Sequence, residues 1–302
     1  MRMILASGLL LATFGGAAVA ADKVQIGDKG IFPESLTSTA DGTLIVGSVG
    51  TGQIYKAAPG ATTAESWIAP ATDGPAAVLG VYADEKNGNL WACYSDLALF
   101  SGAGKGSILR SYELSSGALK TTVPLGDGTF CNDIATAADG TAFIADTAGS
   151  QVFKVAPGAS SAEVLVKDEA LASVDGLSFA PDGALYLNGV STNKLFRLAM
   201  NADGSAGALT ELTLSQEIKG PDGMRFGDDG VLYLAENAAG RVSAVTFDGD
   251  TANIKVVEEG GWDMPVAVTK NGSTLWVLES KFSKMGGNED PGTFYAYPVA
   301  LQ

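Results

Sequence analysis

Short apolar segments alternate with glycine-containing turns along the whole chain, and the same arrangement recurs six times. Each unit contains an Asp-Gly or Asn-Gly pair, and such pairs are strong hairpin signals because both turn residues are expected to take positive φ. An apolar run of strand length follows each pair, and no stretch shows sustained helical periodicity. The pattern therefore predicts antiparallel hairpins throughout. The pairs are Asp41-Gly42, Asn87-Gly88, Asp139-Gly140, Asp182-Gly183, Asp229-Gly230 and Asn271-Gly272.

The regular spacing of these units predicts an all-β, six-bladed β-propeller with four-stranded blades. Divided among six units, residues 21–302 give about 47 residues each, close to the 40–50 of a propeller blade. One blade cannot bury both faces of its sheet, so neighbouring blades are expected to stack into a closed ring. Residues 23–27 could supply the outer strand of the last blade. A β-sandwich is the competing fold, which six regular repeats disfavour. Residues 21–302 are predicted to form one domain.

The pattern of the first 20 residues predicts a cleaved export signal. Arg2 supplies a positive end, residues 4–14 are apolar, and Ala18-Val19-Ala20 is a small-residue cleavage pattern. The apolar stretch is too short for a transmembrane anchor. The mature protein is therefore expected in the periplasm or outside the cell, with no membrane-spanning segment.

The acidic composition limits the partners that this chain is expected to have. The formal net charge is −15, which repels nucleic-acid backbones and favours cations. The expected partner is a small-molecule substrate, and the sequence makes no prediction about oligomeric state. The two cysteines, Cys93 and Cys131, either form a disulfide, which an oxidising compartment permits, or remain buried thiols.

Oxygen-bearing side chains recur seven residues before the turn in four units. These residues are Glu34, Asn132, Asp175 and Asp222. The same count gives Met264 in the last unit, and the equivalent in the second unit lies near Leu79. Equivalent positions in a closed ring converge on its axis, so the four side chains are expected at one mouth of the central channel.

Such a ring of oxygen ligands predicts a site for one divalent cation. Three of the four ligands are carboxylates, whose mutual repulsion a cation would remove. Carboxylate and amide oxygens suit Ca²⁺ best, with Mn²⁺ or Mg²⁺ as alternatives, and the chain contains no histidine to favour zinc. The alternative is that Asp and Asn stand before these strands only as ordinary turn residues.

Further groups are expected at the same end of the channel. The second strands of five units end at polar residues, which are predicted to be pocket groups behind the ligands or a solvated rim: Ser48, Asp146, Asn188, Glu236 and Glu279. Phe130 and Met264 are also predicted to line the pocket. Two long connections, 96–107 with Phe100 and 280–293 with Phe282, either wall a substrate pocket or are mobile surface loops.

These motifs resemble the family of senescence marker proteins and gluconolactonases, and more distantly the paraoxonases and strictosidine synthases. The matching segments are Gly220-Pro221-Asp222-Gly223-Met224, Pro33-Glu34, Asn132-Asp133 and Val174-Asp175-Gly176. The resemblance implies a six-bladed propeller with one catalytic divalent ion, held by Glu34, Asp175 and Asp222, with Asn132 lining the metal and substrate site.

Two departures from the family pattern change what the resemblance implies. Asp175 stands where the family usually has asparagine, which adds a negative charge at the metal. Phe130 stands where a basic residue is common, which points away from a sugar-acid lactone and towards a more apolar substrate.

Three functions are compatible with these residues. The first is hydrolysis of a lactone or ester, or of a phosphoester, with Asp222 as the first candidate base and Asp133 as the second, because the absence of histidine excludes a histidine base or a Ser-His-Asp triad. The second is a non-catalytic periplasmic propeller with a structural calcium ion that binds a ligand or partner. The third is a lyase of the strictosidine-synthase type that uses Glu279.

Overall fold

A computed structural model describes residues 21–301 of the chain. Regular structure in this range is nearly all β, which confirms the predicted class. Its helices are short 3-10 segments at Glu85–Asn87, Leu97–Ser101, Glu169–Leu171 and Phe282–Lys284. In this range no helix is long and apolar enough to cross a membrane. The predicted export signal, residues 1–20, lies outside the described residues.

The strands form six antiparallel blades that follow one another along the chain, and β1 (Val24–Ile26) joins blades 1 and 6 into one eight-stranded sheet. Blade 1 contains β2 (Pro33–Ser38), β3 (Leu44–Ser48), β4 (Ile54–Ala57) and β5 (Thr63–Ile68). Blade 2 contains β6 (Ala77–Asp84), β7 (Asn89–Ser95), β8 (Ser107–Glu113) and β9 (Leu119–Gly126). Blade 3 contains β10 (Cys131–Thr136), β11 (Ala142–Asp146), β12 (Gln151–Val155) and β13 (Glu163–Lys167).

The remaining blades repeat this order. Blade 4 contains β14 (Val174–Phe179), β15 (Leu185–Gly189), β16 (Lys194–Met200) and β17 (Ala206–Glu211). Blade 5 contains β19 (Pro221–Phe226), β20 (Leu232–Glu236), β21 (Arg241–Asp248) and β22 (Thr251–Glu258), with the short β18 (Thr213–Leu214) alongside β22. Blade 6 contains β23 (Pro265–Asn271), β24 (Thr274–Glu279), β25 (Tyr295–Ala300) and β1 (Val24–Ile26).

The first strands of the six blades contact one another in a closed cycle, β2 to β6 to β10 to β14 to β19 to β23 and back to β2. This cycle is the inner wall of a six-bladed propeller, as the repeat predicts. The segment β1 completes the last blade by pairing antiparallel with β25, and it also pairs parallel with β5 of blade 1. The outer-strand role predicted for residues 23–27 is therefore confirmed.

Apolar side chains fill the six spaces between neighbouring blades. Each space holds one cluster drawn from the two blades beside it, so the protein has a segmented core. Between blades 2 and 3, for example, Leu109 packs in the same cluster as Ile134. The structure pairs Cys93 of β7 with Cys131 of β10 in a disulfide that crosses this space.

The hairpin turns differ from the expected type. Gly42 (φ 93°) and Gly183 (φ 86°) have positive φ, but Asp41 and Asp182 before them are not among the positive-φ residues of 21–301. Each aspartate instead accepts a hydrogen bond on Oδ1 from the backbone N–H two residues further on, at 2.9 Å and 3.0 Å. The aspartates therefore act by mimicking a backbone turn, which requires only the glycine to be left-handed.

Candidate metal centre

The four predicted ligands occupy the same structural position in their blades. Each follows the first residue of an inner strand, at a point where pairing with the second strand shifts register: Glu34, Asn132, Asp175 and Asp222. Such bulges leave one residue unpaired in the hydrogen-bond ladder between the strands and change the direction of its side chain. The shift in β6 lies between Val78 and Val81, which places apolar Leu79 at or beside the position in blade 2.

The equivalent position in blade 6 is Val266 and not Met264. Pro265 pairs with the last residue of β24, just as Pro221 pairs with the last residue of β20, so the next residue along is the equivalent one. Counting seven residues back from the turn gave Met264 instead of Val266, because β23 extends to Asn271, the first residue of the turn pair. The first strands of the other blades end before their turn pair.

Ring closure brings the carboxylates together. Glu34, Asp175 and Asp222 each offer an oxygen, and these three atoms lie within 4.8 Å of one another. Asn132 joins the group, because its Nδ2 donates to Asp175 Oδ2 at 2.7 Å. Four side chains from four blades, far apart in sequence, thus meet in a space of the size that one ion needs.

Two buried oxygens in this cluster have no hydrogen-bond partner, Glu34 Oε2 and Asn132 Oδ1. Leaving such a group unpaired costs about 1–3 kcal/mol, and more for a charged group. A hard cation such as Ca²⁺ takes several carboxylate and amide oxygens. The residues present therefore fit a divalent ion, which would supply the missing partner for both atoms.

The electrostatics of the cluster also favour a cation. Burial raises the pKa values of the Glu34 and Asp175 carboxyls well above their ordinary range, and the neighbouring Asp222 charge raises them further. Burial raises the pKa of Asp222 to about 7, although hydrogen bonds from Asn237 and the Gly223 N–H oppose the rise. The three groups cannot all ionise readily in the metal-free protein.

A buried ion pair lies beside the cluster. Arg225 Nη1 and Nη2 donate to Asp133 Oδ2 and Oδ1 at 2.6 Å and 2.7 Å. Nη1 also donates to the carbonyl oxygens of Leu177 and Met224, and the guanidinium lies 5.4 Å from the Tyr82 ring centroid. The guanidinium engages both oxygens of the Asp133 carboxylate, so neither is free to approach a substrate or a water, which argues against Asp133 as the base.

Sequence reasoning missed Arg225. A signal was present, because Arg225 stands three residues after a ligand on an inner strand, where other repeats have Thr37, Ala135 and Ser178. A basic residue at a position that is otherwise small indicates a buried partner. Arg225 supplies one positive charge beside four carboxylates.

Two of the predicted pocket groups lie inside their own blades and not on an open pocket wall. Asp146 accepts from the Phe130 N–H at 2.7 Å and from Gln151 Nε2 at 2.7 Å, and Glu236 accepts from Arg241 at 2.9 Å and from Ser243 Oγ at 2.5 Å. Both have no exposed surface. They anchor the chain before each inner strand, because a buried charge needs such partners.

Asn188 and Glu279 behave differently. Asn188 donates to the Asp222 carbonyl at 2.6 Å and accepts from the Gly176 N–H at 3.1 Å, so it ties the ligand strands of blades 4 and 5 together. Glu279 accepts from the Asp263 N–H at 2.9 Å. A further residue that sequence reasoning missed, Asn237, donates to Asp222 Oδ2 at 2.7 Å and orients that ligand.

The aromatic residues predicted to wall a pocket lie in contacts around the same end of the channel. The Phe130 ring centroid lies 4.6 Å from that of Phe100, which is 67% exposed. Phe282 stacks against Phe32 at 6.5 Å. Met264 is half-buried and has a positive φ of 58°.

The fold and this cluster define a six-bladed propeller with a candidate divalent-cation centre. The family model described as the SMP-30/gluconolactonase/LRE-like region matches residues 32–280, and the chain therefore belongs to this family. The predicted resemblance is thereby confirmed. No curated relative matches the sequence.

Solved structures resemble the whole domain at low sequence identity. A calcium-binding protein, regucalcin, from Agrobacterium tumefaciens is 19% identical with a TM-score of 0.64, over 94% of this chain and 96% of that chain. A gluconolactonase from Xanthomonas campestris is 15% identical with a TM-score of 0.65, over 94% and 98%. Virginiamycin B lyase from Staphylococcus aureus is 16% identical with a TM-score of 0.63, over 93% and 89%. At these identities the likeness shows the fold alone.

Proposed function

We propose that this protein is a metal-dependent hydrolase of a small lactone or ester. The observation that carries the proposal is the buried cluster of three carboxylates and one amide, with two oxygens that lack partners. Membership of the SMP-30/gluconolactonase family and the likeness to a gluconolactonase support the reaction class.

Glu34, Asn132, Asp175 and Asp222 would hold the ion, and Ca²⁺ suits their oxygens best, ahead of Mn²⁺ and Mg²⁺. Such an ion, when bound, polarises a substrate carbonyl and lowers the pKa of water. Asp222 is the candidate base, because Asn237 fixes its orientation and no arginine of residues 21–301 is paired with it. Asn188 keeps the backbone of this ligand in place.

Export to the periplasm or beyond the cell is part of the proposal. The pattern of residues 1–20 and the disulfide between Cys93 and Cys131 both favour an oxidising compartment. Mass spectrometry of protein recovered from the culture or periplasm tests this idea. A mature N-terminus at Ala21 supports export, and an intact Met1 in the cytoplasm contradicts it.

The reaction is tested with a panel of lactones and aryl esters, assayed with Ca²⁺, Mn²⁺ or a chelator. Asp222→Asn should lower kcat by about 100-fold or more, as expected when a general base is lost. Asp182→Asn is the matched control, since this exposed turn residue keeps its acceptor oxygen as asparagine. Full turnover in chelator, or in Asp222→Asn, would exclude this mechanism.

One observation favours a non-catalytic alternative, a ligand-binding propeller with a structural calcium ion. Asn132, Asp175 and Asp222 are only 6%, 5% and 6% exposed, which also suits a closed structural site. A large rise in Tm with Ca²⁺, together with no turnover of any panel member, would support that alternative.

A further inference from the structure

A second ring of equivalent residues precedes the ligands by two positions, on the mouth side of the channel. In five blades the carbonyl at this position accepts the N–H of the residue that follows the second strand, which establishes the equivalence. The members in blade order are Phe32, Ala77, Phe130, Ser173, Gly220 and Met264. The ring is lopsided, because blades 1, 3 and 6 supply large apolar groups and blades 4 and 5 supply only a hydroxyl and a glycine.

Aromatic contacts extend the apolar side of this ring into a continuous wall. Phe32 packs edge-on to Phe294 at 5.2 Å and stacks with Phe282 at 6.5 Å. Phe282 packs against two apolar clusters, the one between blades 6 and 1 and the one between blades 2 and 3. Phe130 belongs to the second of these clusters and contacts Phe100. We call Phe32, Phe100, Phe130 and Phe282 the aromatic wall.

Exposed apolar side chains concentrate on the loops that carry this wall. In residues 21–301 the exposed large hydrophobics are Leu97, Phe100, Leu119, Val164 and Met285. Leu97 and Phe100 lie on the loop after β7, and Met285 lies on the loop after β24. Clustered exposed apolar groups mark interaction sites more often than isolated ones do.

The four side chains of the aromatic wall carry no hydrogen-bonding group, and the basic residue that precedes Phe282 is already engaged. Lys281, the basic residue beside Phe282, donates to the carbonyls of Pro291 and Thr293 at 3.1 Å and 2.8 Å and lies 3.6 Å from Glu279. A polyhydroxylated ligand placed against the aromatic wall would lose hydrogen bonds to water without replacement.

We propose that the substrate of this site carries an apolar alkyl or aryl group, which lies against the aromatic wall while its carbonyl lies at the carboxylate cluster. This inference rests on the proposed hydrolase function. The orientation of the substrate follows from where the large and the small residues of the ring lie. The wall spans blades 6, 1, 2 and 3, whereas the small residues Ser173 and Gly220 lie two positions before the ligands Asp175 and Asp222.

The kinetic test compares γ-lactones of increasing alkyl length with glucono-δ-lactone, using the calcium-loaded protein. We expect kcat/KM to rise about fourfold for each of the first few methylenes, the effect of burying one CH₂ group. Phe100→Ala should raise KM for γ-nonalactone about three- to tenfold with kcat unchanged, because uniform binding is lost.

Leu119→Ala is the matched control, because Leu119 is also exposed but lies on the outer strand β9. A preference for glucono-δ-lactone, or equal effects of Phe100→Ala and Leu119→Ala, would overturn the inference while leaving hydrolysis intact. If Phe100→Ala loses binding to phosphatidylglycerol vesicles with KM unchanged, the aromatic contacts a lipid surface and the inference also fails.

A binding readout separates this inference from the hydrolase proposal. Alkyl-substituted 2-pyrrolidinones have the shape of γ-lactones but resist hydrolysis, and their binding is measured by calorimetry. Binding that strengthens with chain length and weakens in Phe100→Ala supports the aromatic wall even if no lactone is turned over. No binding of the longest pyrrolidinone refutes it, whatever the panel shows.

Discussion

The metal-free protein should lose stability as pH rises. Burial raises the pKa of Asp222 from 3.8 to about 7, so the folded metal-free protein keeps a proton that the unfolded chain has released. Between these two values the folded state binds more protons, and the free energy of unfolding therefore decreases with pH. A shift of about three units corresponds to about 4 kcal/mol, present below pH 4 and lost by about pH 7. The raised pKa values of Glu34 and Asp175 act in the same direction.

The assay is urea denaturation of the chelated and the calcium-saturated protein between pH 4.5 and 8. We expect the chelated protein to lose several kcal/mol across this range and the calcium-saturated protein to change little, because the proposed ion would hold the carboxylates in their ionised form. Exposed acids with lowered pKa values, such as Asp41, affect the free energy of unfolding only below the pH range of this assay. Asp222→Asn should flatten the dependence, and Asp182→Asn should not. A metal-free stability that is constant or rises with pH would refute the reasoning.

Three further perturbations test the channel and the ring. Arg225→Met should destabilise the calcium-loaded protein by about 3–5 kcal/mol, because Asp133 is left buried without its partner, and Asp133→Leu in the same background should restore part of the loss; equal stability of the single and double variants contradicts this. Replacing both Cys93 and Cys131 by alanine should cost about 3–4 kcal/mol for a 38-residue loop, and dithiothreitol should lower the urea midpoint of the natural protein but not that of this variant; a natural protein whose midpoint does not respond to dithiothreitol contradicts this disulfide. Ile26→Ala, in the strand that closes the ring, should lower the free energy of unfolding by about 2–5 kcal/mol, as for other buried Ile-to-Ala changes, and a loss below 1 kcal/mol would show that β1 contributes little.

The propeller could be predicted from the sequence because its signals are local. A turn pair and an apolar strand recur in every blade, and each blade is built from residues adjacent in the chain. Even the closing strand was foreseeable, since a ring of sequential hairpins leaves its last blade short of one strand. The φ values at Asp41 and Asp182 could not be predicted, because the aspartate side chain competes with the turn type that the Asp-Gly pair favours.

The candidate ligands were predictable for a related reason. A bulge at the same place in four blades keeps Glu34, Asn132, Asp175 and Asp222 at a constant distance from the turn. The count failed in blade 6, where a longer β23 moved the equivalent position to Val266. Counting residues back from the turn thus identifies a ligand only in blades whose first strands have the same length.

The sequence by itself determined the number of repeats, the turn positions and the residue types that face the channel, because these depend on neighbours within one blade. Only the tertiary structure decided which charges meet. Asp133 and Arg225 are 92 residues apart and pair because blades 3 and 5 face the same channel. Glu236 has the same charge as the ligands, yet its own blade surrounds it and removes it from the site. Closure of the ring sets these contacts, and no local pattern encodes the distance across a channel.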